Sequence, residues 1–169
     1  MGNIVELRGI CKAFGTNQAN KDVDFVCERG EVVCLLGENG AGKSTLMKIL
    51  DGQYYPDAGK ILIEGKEVRF TGAKDASACG IQMVHQHFML VPTLTVADNV
   101  MIGKEWKVRG LYQRREAAAQ VQKLSEAYGL TVPAGKLVQD LSVGEQQRVE
   151  IIKALYHGAE VLILDEPTA

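Results

Sequence analysis

Three short apolar runs stand out from an otherwise mixed chain: residues 32–36 (Val-Val-Cys-Leu-Leu), residues 81–84 and residues 161–164. Runs of this length without alternation are what strands buried on both faces look like, so they predict a parallel core sheet. Elsewhere the pattern alternates. Residues 4–8 and 23–27 flank a polar turn region at 15–20, and residues 60–64 and 67–70 flank a Gly65-Lys66 turn. Period two predicts a small antiparallel sheet beside the first apolar run. Between Gln86 and Leu141 the period becomes helical. Ala117, Val121, Leu124 and Tyr128 fall on one helix face that Gly129 would stop, and Val149, Ile152, Leu155 and Tyr156 share another. Residues 103–112 read as a polar, charged surface loop, and no internal repeat or low-complexity tract occurs.

The first apolar run leads into Gly37-Glu38-Asn39-Gly40-Ala41-Gly42-Lys43-Ser44, and helix-like residues 45–50 follow. This is the phosphate-binding pattern G-x-x-x-x-G-K-[ST] in the strand-loop-helix setting that it needs. Backbone N–H groups of such a loop point at phosphate oxygens, where the helix N-terminus adds positive potential. Side chains at the glycines would block that approach. Lys43 would reach the outer phosphates and the Ser44 hydroxyl would ligate Mg²⁺, with Asn39, Ala41 and Thr45 completing the ATP-binding loop. A glycine-rich turn that binds nothing would need neither Lys43 nor Ser44 at these places.

Two further features carry chemistry. Asp165-Glu166 ends the last apolar run. Side chains alternate along a strand, so one carboxylate can face a metal and the other a water. Glu166 is the candidate general base and Asp165 the group that supports Mg²⁺ through its hydration shell. Alone, the pair could equally cap a strand in a loop. Ser142-Val143-Gly144-Glu145 matches a capping box, which by itself only starts a helix. A helix N-terminus with an exposed hydroxyl and a bare Gly144 backbone is also an anion site, and the two readings are compatible. Gln86 closes the second apolar run between His85 and His87. A metal site there lacks support, because His157 is the one other histidine and no carboxylate or cysteine stands at a supporting spacing.

The order of these features resembles an ATP-binding-cassette (ABC) ATPase: P-loop, glutamine at Gln86, Leu141-Ser142-Val143-Gly144-Glu145-Gln146-Gln147, then an apolar strand ending in Asp165-Glu166. The resemblance spans residues 4–169. It implies an α/β fold: a P-loop NTPase core with a RecA-like parallel sheet, an antiparallel β arm and a helical subdomain. Residues 1–92 would form the core and arm, 93–157 the helical subdomain and signature helix, and 158–169 the Asp-Glu strand. Gln86 would be a catalytic sensor touching Mg²⁺ or its water. Ser142, Gly144 and Glu145 would act in trans, on the nucleotide held by a second cassette. Phe14 stands where relatives place the adenine platform, although a core phenylalanine is an equal reading. Residues 88–92, Phe-Met-Leu-Val-Pro, are where relatives receive a coupling helix, and ordinary core packing would look the same in sequence.

Residues 83–91 and 142–151 look most like importers of nucleosides and simple sugars, whose ATPases usually carry two cassettes in one polypeptide. The implied cofactors are ATP and Mg²⁺. The implied partners are the second cassette, transmembrane permease subunits and, indirectly, a substrate-binding lipoprotein. The implied location is the cytoplasmic face of the cell membrane. In the family, Pro-Thr-Ala is followed by a Leu-Asp segment and a switch histidine. Neither follows Ala169, so the cassette is expected to be incomplete at its C-terminus and residues 1–169 alone to be an inactive ATPase.

Composition narrows the alternatives. The 169 residues suit one domain with a real core. A net charge of −2 and a pI of 5.9 leave no electrostatic footprint for nucleic acid. No apolar run approaches the ~18 residues of a membrane span, and the first residues are too polar for a signal peptide. Cys11, Cys27, Cys34 and Cys79 show no paired metal-ligand spacing and read as reduced, partly buried thiols. A soluble ABC ATPase of DNA repair or translation would want a coiled-coil insertion between P-loop and signature, or basic linkers; the stretch from Gln86 to Ser142 leaves no room for the former. A nucleotide-binding module without turnover is the other alternative.

Overall fold

The computed structural model describes residues 2–86, 88–105, 107–108 and 111–165, the side chains of 107, 108 and 111 excepted. It divides into two compact units, residues 1–81 and 82–169.

The first unit is built on a four-stranded antiparallel sheet of order β2-β1-β3-β4. Its strands are β1 (Asn3–Phe14), β2 (Asn17–Glu28), β3 (Ala58–Ile63) and β4 (Lys66–Val68). Alternation in β1 sends Val5 and Leu7 into the core while Arg8 stays out. The register then shifts at Gly9, whose φ of 60° favours a residue without Cβ, and Ile10 returns to full burial. The strands run longer than the alternation predicted, because pairing between β1 and β2 continues past the alternating stretches to Phe14 and Asn17. The hairpin between β3 and β4 turns on Glu64-Gly65, both at positive φ, and not on Gly65-Lys66. Two positive φ values match the right-handed strand twist. Helix α1 (Lys43–Leu50) buries Leu46, Ile49 and Leu50, and α2 (Ala73–Ala78) buries Ala76.

The predicted strand at residues 32–36 does not form. The run carries no regular secondary structure, and Val32 and Leu36 are 96% and 87% exposed. A strand exists only where a neighbour completes its hydrogen bonds, and apolar sequence alone does not supply one. Cys34 is accordingly exposed, against the expectation of burial, whereas Cys11, Cys27 and Cys79 are half-buried; all four are free thiols.

The second unit joins β5 (Ile81–Val84) and β8 (Val161–Leu164) to a helical cluster. Asp165 N donates to Val84 O at 3.1 Å, which sets the two strand ends side by side. Helices α3 (Val96–Met101), α4 (Arg114–Ala127) and α5 (Val143–Tyr156) pack around Val100, Val121, Val132 and Ile152. Thr95 caps α3 by accepting from Asp98 N. The Asp98 carboxylate also accepts from the Tyr112 hydroxyl at 2.8 Å, and burial together with that bond pushes the Tyr112 phenol up to about 12. Ala117, Val121 and Leu124 face the core as predicted. Tyr128 does not: it follows the last turn of α4, is 58% exposed, and Ser125 takes the buried place. Residues 103–112 are also more than a loop, since β6 (Lys107–Val108) and β7 (Leu111–Tyr112) pair as a short hairpin. Trp106 lies outside the described residues.

Candidate functional site

In the first unit the phosphate loop ends on α1 as the pattern requires. Gly40 and Gly42 take φ of 85° and 84°, the left-handed region. Gly42 is the N-cap of α1 and supplies no side-chain cap, so no side chain of the cap covers the positive end of the helix. Lys43 folds back across the loop, its Nζ donating to the carbonyls of Gly37 at 2.6 Å and Glu38 at 2.8 Å. Ala41 N bonds Glu38 O, closing the turn through Asn39. Ser44 is exposed and Thr45 half-buried at the first turn of α1. The loop carries the parts of an oxyanion site: one cation, the start of a helix, and glycines where side chains would intrude. These residues fit the phosphates of a nucleotide and the Mg²⁺ that accompanies them.

The loop is wedged from behind by the start of β2, which the sequence did not disclose. A Cβ on Gly42 would stand 2.2 Å from Ala19 O and 2.8 Å from Asn20 Nδ2. Asn20 is buried, its amide donates to Gly42 O at 3.2 Å, and its Oδ1 has no partner. One polar residue in a strand gives no such signal; only the fold brings it beneath the loop. Phe14, at the end of β1, is 44% exposed, so the core alternative fails for this ring.

In the second unit, Gln86 is exposed two residues beyond Val84, and Asp165 follows β8 at the end that bonds Val84. The two predicted Mg²⁺-side groups therefore sit at one end of the paired strands. Glu166 lies outside the described residues, as does His87. Ser142 caps α5 in a complete capping box: its Oγ accepts from Glu145 N at 3.3 Å and donates to Glu145 Oε2 at 2.8 Å, and Ser142 N donates to the same oxygen. Those bonds from Ser142 hold the Glu145 carboxyl below its ordinary range. Gly144 is open, with nothing within 4 Å of an added Cβ.

The segment after Gln86 is held by residues that sequence reasoning missed. Asn99, fully buried on α3, accepts from Val91 N at 2.7 Å and donates to Val91 O and Thr95 O at 3.0 Å. From α5, Glu150 Oε1 accepts from Met89 N at 2.6 Å and Lys153 Nζ donates to Met89 O at 3.3 Å. Met89 nevertheless turns outward, 70% exposed, and Val91 is 40% exposed, while Leu90 packs on the helical core. Leu90 thus follows the core-packing reading of residues 88–92, and Met89 and Val91 do not. A carboxylate at the eighth position of α5 looks like an exposed helical residue in sequence; its burial reveals the clamp. Glu150→Ala should lower the unfolding free energy by about 1–3 kcal/mol, the cost of leaving a part-buried N–H without its acceptor. Glu150→Gln, which keeps an acceptor, should lose much less. Urea denaturation of both variants checks this, and equal losses would mean that the hydrogen bond is not what matters.

Comparison with known proteins adds the family. A family model described as "ABC transporter" matches residues 20–169. The guanosine import ATP-binding protein NupO of Bacillus subtilis (strain 168) is 48% identical over 169 residues, 100% of this chain and 33% of that protein. The ribose import ATP-binding protein RbsA of Yersinia pestis is 47% identical over 166 residues, 98% of this chain and 33% of that one. The nucleoside import ATP-binding protein NupA of Lactococcus lactis subsp. cremoris (strain MG1363) is 46% identical over 166 residues, with the same shares. The chain spans about a third of the length of these curated relatives. Among solved structures, the ADP conformation of MJ1267, an ATP-binding cassette of an ABC transporter, superposes with a TM-score of 0.86 at 26% identity, covering 100% of this chain and 70% of that one. For cbiO1 of Clostridium perfringens, part of the ABC transporter complex cbiONQ, the values are 0.82, 29%, 100% and 67%. The fold is that of a P-loop cassette.

Proposed function

Since the chain belongs to the ABC transporter family, we propose that it binds and hydrolyses Mg-ATP to energise an importer of nucleosides or simple sugars. The observation that carries this reading is the loop itself: Lys43 lies across Gly37 and Glu38 at the start of α1, which no cap side chain covers, and this supports phosphate binding there. Bound Mg²⁺ would neutralise phosphate charge. Ser44 would ligate it directly, with Gln86 and Asp165 contributing through water. Glu166 would hold and deprotonate the attacking water. Ser142 and Gly144 would serve the nucleotide of a second cassette, and Ser142 would have to loosen its hold on Glu145 to turn its hydroxyl toward a phosphate.

The exposed side chains of Met89 and Val91, on a backbone clamped by α3 and α5, support contact with membrane permease subunits at the cytoplasmic face. Among the described residues no helix is long and apolar enough to cross a membrane. The nucleoside or sugar class rests on relatives whose printed names include guanosine, nucleoside and ribose import. Phosphate release from the protein assembled with its permease in vesicles tests the proposal. A nucleoside or ribose supplied with its binding protein should raise the rate several-fold. Stimulation by DNA or ribosomes, with no response to any sugar or nucleoside, would replace import by the nucleic-acid alternative.

A further inference from the structure

Phe14 meets a second aromatic ring that neither the phosphate-loop pattern nor the signature includes. The Tyr54 ring lies 5.2 Å from it, centroid to centroid, at 70°, an edge-to-face pair. Tyr54 belongs to the phosphate-loop helix in all but name. Gln53 N and Tyr54 N both donate to Lys48 O, and Lys48 Nζ stands 5.8 Å over the Tyr54 ring. The strand end that carries Phe14 is tied to the same segment. Asp57 accepts from Ala13 N at 2.7 Å and Lys12 Nζ at 2.8 Å, and Asp57 N donates to Cys11 O. Lys12 Nζ in turn lies 5.5 Å from the Phe14 centroid.

We propose that Tyr54 is a positioning residue for the nucleotide base: it holds the Phe14 ring at a fixed place relative to α1, so that base and phosphates are gripped by one rigid piece. The inference rests on reading Phe14 as the base platform. A half-exposed phenylalanine at a hairpin end is free to turn about its side-chain bonds. A partner ring against it removes that freedom before the ligand arrives, which strengthens stacking without adding a contact to the ligand. The bonds of Asp57 fix the backbone under the ring, and Tyr54 fixes the ring itself. Phosphate binding, made through Lys43 and the first turn of α1, does not involve either ring.

That separation supplies the test. Calorimetric titrations of the intact protein at fixed Mg²⁺ compare ATP with inorganic tripolyphosphate, which has the phosphates and no base. Phe14→Ala should weaken ATP by about 5- to 150-fold, the worth of one base stack, and leave tripolyphosphate unchanged. Tyr54→Ala should weaken ATP at least threefold and also spare tripolyphosphate, whereas Tyr54→Phe, which keeps the ring edge, should bind ATP as the unsubstituted protein does. Unchanged ATP affinity in Tyr54→Ala beside a loss in Phe14→Ala would overturn the role of Tyr54 and keep the platform. Unchanged affinity in Phe14→Ala would remove the platform and the inference with it. Equal losses for ATP and tripolyphosphate in Tyr54→Ala would assign the residue to the phosphate loop's integrity and overturn base positioning.

Discussion

Replacing Lys43 with alanine is expected to weaken Mg-ATP binding by about two to four orders of magnitude. The ammonium is the cation of the loop, and its two present bonds, to Gly37 O and Glu38 O, keep it within the turn where phosphates would sit. Charge-assisted hydrogen bonds are worth roughly 1.5–3 kcal/mol each, so two lost to phosphate oxygens correspond to about a hundredfold or more in affinity. Lys43→Ala also frees two carbonyls, which can turn to solvent at little cost because the loop is exposed. Stability should therefore change far less than affinity. Titration of a fluorescent ATP analogue reads the first quantity and thermal melting the second. Equal affinity in both proteins would take Lys43 out of the site.

The second large effect concerns the fold beneath the loop. Gly42→Ala should cost about 2–5 kcal/mol of stability, combining the left-handed backbone penalty of ~1–2 kcal/mol with overpacking against β2. The new methyl would stand 2.2 Å from Ala19 O, a backbone atom that cannot swing aside. A domain stable by ~5–15 kcal/mol loses a large share of its margin that way. Gly40→Ala is the internal control. Its φ of 85° is nearly the same, yet nothing lies within 4 Å of the added carbon, so only the backbone penalty of ~1–2 kcal/mol applies. Urea unfolding of the two variants separates strain from collision; equal losses would show that the wedge of β2 behind the loop carries no energy.

The contrast between those glycines shows where sequence reading reaches its limit. The phosphate loop, the strands of the antiparallel arm and the two amphipathic helices were legible because each is written in a local motif or period, although the arm's β1–β3 pairing joins residues as distant as Val5 and Ile63. Ser142 could be read twice, as cap and as anion site, and the capping box is what forms. The 32–36 run misled because apolar content reports burial in a complete neighbourhood, while a strand needs a partner's hydrogen bonds. Tyr128 misled for a simpler reason: the predicted helical face ran one residue past the helix. Asn20, Tyr54 and Glu150 were illegible because their meaning lies in contacts made across long sequence separations, as between Glu150 and Met89. Their types, an amide in a strand, a tyrosine after a helix and a carboxylate on one, are ordinary until the fold supplies the other half.

The bare thiol of Cys34 offers a practical handle. It sits a few residues ahead of the phosphate cradle, on a segment without regular structure, and is more open than the other three thiols. A maleimide dye used sparingly would mark it first, and the dye would then report changes in its surroundings as the neighbouring loop closes on a ligand. The same openness makes it the first point of oxidative cross-linking between molecules, so preparations of the protein call for a reductant until the label is in place.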